Sequence, residues 1–335
     1  MTQLLEVKGV SKTFGAGGKK LVKAVDSVNL SISQDRPSIV SLVGESGSGK
    51  TTLARMILGL VPPTSGEILF QGKNIHSMSP REWAEYRHNI QAVFQDPYGI
   101  YNPFYKVDRV LKLAVTKFGL ASSKAGSVEL VSEALEAVGL RPRDVLGRYP
   151  HQLSGGERQR VMLARLYLLK PKVIIADEPI SMIDVALRAL FLNILLDFKQ
   201  NYGISCLFIT HDLSSAHYLG ENLLILYRGR VVERGKTADI LKSPAHPYTK
   251  LLIKALLPPD PDRKVLISGE LDFRVSNEAP DGADHSCPFA ARCPEAMDMC
   301  KTRAPGTITL QGEHEVSCFL YEQASGKHGM GHPGH

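Results

Sequence analysis

With 335 residues, 43% of them hydrophobic, the chain has the size of one large domain or two and the composition of a globular protein. No uninterrupted apolar run approaches the roughly 20 residues that cross a bilayer, and Met1 to Glu6 lacks a basic region followed by an apolar core, so the sequence predicts a cytoplasmic polypeptide without a span or a leader. A net charge of +6 spread along the chain fits a solvated mixed-charge surface and calls for no nucleic acid.

Leu4 to Val10 and Val22 to Ile32 have the alternating, β-branched pattern of strands, with a turn predicted at Gly15-Ala16-Gly17-Gly18. Phe14, just before that turn, is an aromatic that either stacks on a base or fills a core. The apolar run Ile39 to Val43 predicts a buried strand. It leads into Gly44-Glu45-Ser46-Gly47-Ser48-Gly49-Lys50-Thr51-Thr52 and a helical stretch from Leu53 to Leu58. Strand, glycine turn and helix in the spacing G-x-x-x-x-G-K-T is a phosphate-binding loop. Glycines let the backbone curl so that several N–H groups face one small anion, and the helix start adds free amides and its positive dipole end. Lys50 is placed to reach the β- and γ-phosphates, and the Thr51 hydroxyl to hold Mg²⁺.

Beyond the break at Val61 to Gly66, Glu67 to Phe70 is a short strand. Ile90 to Gln95 is another, ending in a polar residue before Asp96-Pro97. From about Val107 to Gly139 the period turns helical, so a helical insertion is expected over about 96–170. Leu153-Ser154-Gly155-Gly156-Glu157-Arg158-Gln159-Arg160 opens a helix through Leu169, with small residues and free amides at its start. Val173 to Ala176 reads as a buried strand ending in Asp177-Glu178-Pro179. A helix follows over roughly Val185 to Tyr202, then a strand over Cys206 to Thr210 with His211 at its end. Leu223 to Tyr227 and Arg230 to Glu233 form a hairpin around Arg228-Gly229. Strands alternating with helices, with polar residues at strand ends, predict a parallel sheet with ligands at its carboxyl edge.

An acid at the end of a strand, such as Asp177, holds Mg²⁺ directly or through water. Glu178 beside it is a candidate base for attacking water, His211 a candidate to steady that water, and Gln95 a candidate Mg²⁺ ligand. Singly, each has a plain structural alternative: a helix cap, a core histidine, a surface glutamine. The Leu153–Glu157 stretch decides between them, because a second phosphate-facing helix start is idle in one chain and useful between two. The ordered set of Lys50, Gln95, Leu153 to Glu157, Asp177-Glu178, Ser181-Met182-Ile183-Asp184 and His211 resembles the ATP-binding subunits of ABC transporters, from about Leu4 to Leu257.

That resemblance implies an α/β fold: a mostly parallel sheet core, an antiparallel β subdomain and a helical subdomain. It implies that Phe14 stacks on adenine, Gly44 to Thr52 form the Walker A loop and Gln95 is the Q-loop glutamine. Ser154, Gly155, Gly156 and Glu157 form the signature, Asp177 is the Walker B acid and Glu178 the catalytic base. Asp184 closes the D-loop and His211 is the switch histidine. Two such chains would meet head to tail and enclose two ATP molecules with Mg²⁺. The D-loop departs from the usual S-A-L-D in its middle pair, Met182 and Ile183. A soluble ABC-type ATPase acting on nucleic acid or ribosomes is the competing reading, but such proteins usually carry two ATPase units or a long coiled coil. A small-molecule kinase leaves the signature unexplained.

Phe94-Gln95-Asp96-Pro97, Tyr149-Pro150-His151, His246-Pro247-Tyr248-Thr249 and a cysteine-bearing C-terminal extension resemble the dipeptide/oligopeptide/nickel importer branch. The branch implies a second ATPase subunit, two membrane permease subunits and an extracytoplasmic solute-binding protein. It also implies a station on the cytoplasmic face of the membrane, and peptides as default cargo with nickel and oligosaccharides open. The predicted domains are 1–257, an extension over 258–323 after the proline-rich Leu257–Asp262, and a disordered Gly/His-rich tail over 324–335. Of five cysteines, Cys206 sits in an apolar strand. Cys287, Cys293, Cys300 and Cys318 form C-x5-C-x6-C-x17-C, without the close pairs of a zinc ribbon. Four thiolates leave an iron–sulfur cluster (4Fe–4S), zinc or no metal open by ligand type. In some members of the branch the matching cysteines hold a cluster.

Overall fold

The computed structural model describes residues 2–15, 21–96, 99, 101–181, 183–255 and 286–325. Most of the expected Gly15–Gly18 turn, Met182, the predicted domain boundary and 326–335 of the tail lie outside the described residues. Four strands, β1 (Gln3–Phe14), β2 (Val22–Ser33), β4 (Ser65–Phe70) and β5 (Lys73–Asn74), make an antiparallel sheet in the order β2-β1-β4-β5. An eight-stranded sheet takes in β3 (Ile39–Val43), β6 (Ile90–Val93), β7 (Val173–Asp177), β8 (Ser205–Thr210), β9 (Asn222–Tyr227) and β10 (Arg230–Lys236). Its last members are β11 (Ile308–Thr309) and β12 (Glu315–Val316), and its order is β11-β12-β10-β9-β3-β8-β7-β6.

The five strands from β6 to β9 in that order are parallel. Every residue of β3, β7 and β8 is buried, as expected where both faces of a parallel sheet are covered. On one side the helix Lys50–Ile57 buries Leu53, Ala54, Met56 and Ile57 between the two sheets, in a core shared with Val7, Ile32, Ile68 and Ile209. On the other, helices Gly155–Leu169 and Val185–Tyr202 cover Ile174, Ala176 and Phe208. Helices Arg109–Lys117 and Lys124–Ala137 form the helical subdomain, adding Leu111, Val115, Val131 and Leu135 to that same core.

The helix Pro80–Asn89 has no forecast in the sequence reading, because its apolar face is narrow. A proline-led start and a Ser79–Glu82 capping box secure it instead. At its end, β6 closes at Val93, so Gln95 lies past the strand in an exposed bend.

The C-terminal extension joins the main sheet. Arg234 pairs with Glu315 and Glu233 with Val316, which makes β12 a neighbour of β10. Buried Glu233 accepts hydrogen bonds from the Ala245 and His246 amides, at 2.8 and 2.9 Å. It also bonds the His314 ring at 2.7 Å. Phe289 is fully buried against Tyr227 and Tyr248 in a third core cluster. The helix Phe319–Ser325 runs through Ala324 and Ser325, the start of the expected tail.

Candidate functional site

The parallel sheet delivers β3 and β7 with their carboxyl ends side by side, separated by β8. The loop after β3 curls back and packs against the antiparallel sheet. At Gly49 the backbone is left-handed, φ 104°, and a Cβ there would stand 2.2 Å from the Ala24 carbonyl oxygen. Only glycine satisfies both the φ and the space. At Gly44 a Cβ would meet the Leu226 carbonyl oxygen at 2.2 Å, so the loop also presses on β9.

Lys50, the first residue of the helix, is 6% exposed. Its ammonium donates to the carbonyls of Gly44 (2.7 Å) and Glu45 (2.9 Å) and stands 4.0 Å from Glu178 Oε1. Burial pushes the Lys50 pKa down, and Glu178, Asp177 and Glu45 pull it back. A buried cation held by carbonyl oxygens and facing carboxylates is poised for a polyanion. The Ser48 hydroxyl is buried in the same loop without a hydrogen-bond partner among the described residues. It is a polar atom in want of a ligand.

At the other strand end, Asp177 is 5% exposed and its Oδ1 accepts from the Thr51 hydroxyl at 3.2 Å. Burial raises the Asp177 pKa against that hydrogen bond, and the Glu178 carboxylate raises it further. Two hard oxygen donors side by side, the Thr51 hydroxyl and the buried Asp177 carboxylate, fit Mg²⁺.

Glu178 takes a left-handed backbone, φ 49°. This conformation costs a non-glycine residue on the order of 1–3 kcal/mol. It is secured by the Glu178 amide donating to Ile209 (2.9 Å) and by the Ser181 hydroxyl donating to the Glu178 carbonyl (3.0 Å). The bend turns the side chain toward His211, whose Nδ1 lies 2.8 Å from Oε2. Lys50, Thr51, Asp177, Glu178 and His211 thus form one cluster, joined by contacts of 4.0 Å or less.

Other residues lie apart from that cluster. Phe14 ends β1, 44% exposed, with the Lys12 ammonium 5.3 Å from its ring centroid. Ser154 is exposed at the start of Gly155–Leu169, where it and Glu157 form a reciprocal capping box. The Ser154 hydroxyl accepts from the Glu157 amide (3.2 Å), and the Glu157 carboxylate accepts from the Ser154 amide (2.8 Å). Glu157 is therefore a capping residue in this fold. Gly156 is packed against the Leu187 side chain. Asp184 is exposed at the start of Val185–Tyr202.

Three contributors carry no obvious signal in the sequence. Gln159, 1% exposed, donates from Nε2 to the Phe94 and Pro179 carbonyls at 3.0 and 2.9 Å. It binds the signature helix to the residues beside Gln95 and Glu178. Tyr248 accepts from the Glu45 amide through its hydroxyl at 3.0 Å. Arg292, in the extension, grips the Glu45 carboxylate with both terminal nitrogens, at 2.8 and 2.9 Å.

Comparison with known proteins gives the same picture. The family described as ABC transporter matches residues 25–181, and the oligopeptide/dipeptide transporter C-terminal region matches residues 232–300. The putative oligopeptide transport ATP-binding protein YkfD of Bacillus subtilis (strain 168) is 38% identical over 329 residues, 97% of each chain. The chain belongs to the oligopeptide/dipeptide family of ABC transporter ATP-binding subunits. The dipeptide transport ATP-binding protein DppF of Escherichia coli (strain K12) is also 38% identical, over 91% of this chain and 89% of that protein. Among solved structures, the dimeric post-hydrolysis state of the ATP-binding cassette MJ0796 bound to ADP and Pi is similar at a TM-score of 0.62. It is 28% identical, over 70% of this chain and 98% of that one. This subunit is an ABC ATPase, and the cluster around Lys50 and Glu178 lies where the glycine-rich loop after β3 meets the end of β7. Among the described residues no helix is long and apolar enough to cross a membrane.

The four extension cysteines lie within electrostatic reach of one another. Backbone amides point at the sulfurs: Phe289 and Ala290 at Cys287, Glu295 at Cys293, Met297 at Cys300 (3.5 Å) and Leu320 at Cys318. Yet among the described residues no group of three or more His, Cys, Asp or Glu is arranged to hold a metal ion. Burial raises the pKa of Cys287, Cys293 and Cys318, the last to about 11.

Proposed function

We propose that the cluster of Lys50, Thr51, Asp177, Glu178 and His211 binds and hydrolyses MgATP to drive import of peptides through separate membrane permeases. The observation that carries the reading is Glu178. A carboxylate held in a strained backbone conformation and hydrogen-bonded to His211 is a base fixed in direction at the end of β7.

Lys50 leaves the Gly44 and Glu45 carbonyls and pairs with the β- and γ-phosphates, while the amides of Gly47, Gly49 and Lys50 donate to phosphate oxygens. Thr51 and Asp177 would hold Mg²⁺, which would supply positive charge to neutralise the phosphates. Glu178 accepts a proton from the attacking water, and His211 keeps the carboxylate aimed. Phe14 stacks on the adenine, and Gln95 senses the metal from the bend after β6. Ser154 and Asp184 are exposed and Gly155 is half-buried, while Gly156 is buried against Leu187; the exposed helix start suits Ser154 to close the site of a second ATPase subunit.

Docking to the permeases fits a groove of about 560 Å³ between the helical subdomain and the sheet, lined by Tyr105, Arg109, Leu113, Lys117, Phe118 and Arg165. Phe104 beside it is 85% exposed. Apolar surface of this kind marks an interface. Names of relatives favour peptides over nickel or oligosaccharides as cargo. The amide-to-sulfur contacts favour a soft metal centre, such as an iron–sulfur cluster, on Cys287, Cys293, Cys300 and Cys318.

Glu178→Gln tests the central role. The variant is expected to bind ATP like the native chain and to lose at least about 10²-fold in turnover, because the group that takes the proton is gone. Native-like hydrolysis would refute the assignment.

A further inference from the structure

We propose that Arg292 of the C-terminal extension is a positioning residue of the ATP site, acting on the phosphate loop through Glu45. This rests on the reading of Gly44 to Thr52 as that loop. The contact spans 247 residues of sequence and is bidentate, with Arg292 Nη1 to Glu45 Oε2 at 2.8 Å and Nη2 to Oε1 at 2.9 Å. Paired planar groups of this kind fix orientation as well as charge.

The guanidinium is itself held. It lies 5.7 Å from the Tyr227 ring centroid and 5.8 Å from that of Phe289, and donates to the Tyr227 hydroxyl at 3.4 Å. Phe289, three residues before it, meets Tyr227 edge-on at 5.2 Å and Tyr248 at 5.6 Å. Tyr248 in turn receives the Glu45 amide. The side chain and the amide of Glu45 are thus tied to one aromatic cluster, and that cluster is closed by the segment between Cys287 and Cys293. The Glu45 carbonyl meanwhile holds the Lys50 ammonium.

Two consequences follow for nucleotide binding. Fixing Glu45 keeps the loop in its anion-binding curl before ligand arrives. Pairing its carboxylate with Arg292 also removes a repulsive charge next to a triphosphate. Glu45 accordingly stands to Arg292 as a loop residue whose order and charge the extension controls.

The test measures the dissociation constant of MgATP for the full chain in four proteins: native, Arg292→Ala, Glu45→Gln and the double variant. Arg292→Ala is expected to weaken binding by about three- to tenfold, the loss of one partly exposed bidentate pair. In the Glu45→Gln background the same substitution is expected to do nothing further, since its target is gone. Arg292→Lys, a single-point charge, should recover part of the affinity. An unchanged dissociation constant in Arg292→Ala would overturn the proposal, as would an equal loss in the Glu45→Gln background, which would indicate a general loosening of the extension. Lys50→Ala serves as the control for the underlying reading. Native affinity there would refute the loop assignment itself, whereas loss there with no effect of Arg292→Ala would refute only the role of Arg292.

Discussion

Glu178 and His246 are both shaped by burial, in opposite ways. Glu178 keeps a strained backbone because four hydrogen bonds hold it there: three on its main chain and the His211 ring on its carboxylate. A strained residue persists only where its surroundings over-determine it. His246 is 2% exposed, and its Nδ1 accepts from the Tyr248 amide at 3.0 Å, capping the helix Pro247–Lys254. Burial pushes its pKa down from 6.5 to about 4, with Lys250 adding to the shift. The folded pKa lies below the unfolded one, so the unfolded chain takes up the proton first. Stability from this residue is complete above pH 6.5 and drains away as pH falls toward 4, by up to about 3 kcal/mol. Urea unfolding between those pH values should show the decline. His246→Asn, which keeps an acceptor without the titration, should flatten that part of the profile; an identical profile in the variant would disprove the assignment.

Elements carry information between these residues. The helix Gly155–Leu169 begins with a capping box at its exposed end and sends Gln159 inward to the ends of β6 and β7. Any shift of the signature helix is therefore felt beside both Gln95 and Glu178. The extension is the second such element. Two short strands, Phe289 and the His314–Glu233 contact bind it to the main sheet, and two of its cysteines, Cys287 and Cys293, bound the segment that presents Arg292. Anaerobic purification followed by iron and sulfide analysis should return both elements in the native chain and neither after Cys293→Ser and Cys300→Ser together. Colourless, iron-free native protein would remove the cluster and leave four free thiols, three half-buried and Cys300 buried.

The whole molecule has two working faces. On the proposed reading the Lys50–Glu178 cluster occupies one, and the exposed start of the helix Gly155–Leu169 belongs to a different element with its own internal bonding. If the signature serves a second subunit, Ser154→Arg should leave MgATP affinity of the single chain within about twofold, since the change costs only a helix cap. The same variant should abolish hydrolysis in the assembled transporter. Loss of binding in the single chain would mean that Ser154 serves its own loop.

Local pattern was enough for much of this. The loop G-x-x-x-x-G-K-T and the strands ending at Val43, Asp177 and Thr210 were readable, because period and turn chemistry act over a few residues. The left-handed backbone of Glu178, the two anchors of Gln159 and the grip of Arg292 on Glu45 were not readable. They join positions up to 247 residues apart in sequence. Nothing in the composition of either segment encodes its partner. The chain alone determines which chemistry is present, since that depends on residue type and short spacing. Only the packing of the extension onto β9 and β10 decides that a cysteine-bearing segment reaches the nucleotide loop, because burial of Phe289 and pairing of two opposite charges are settled in space.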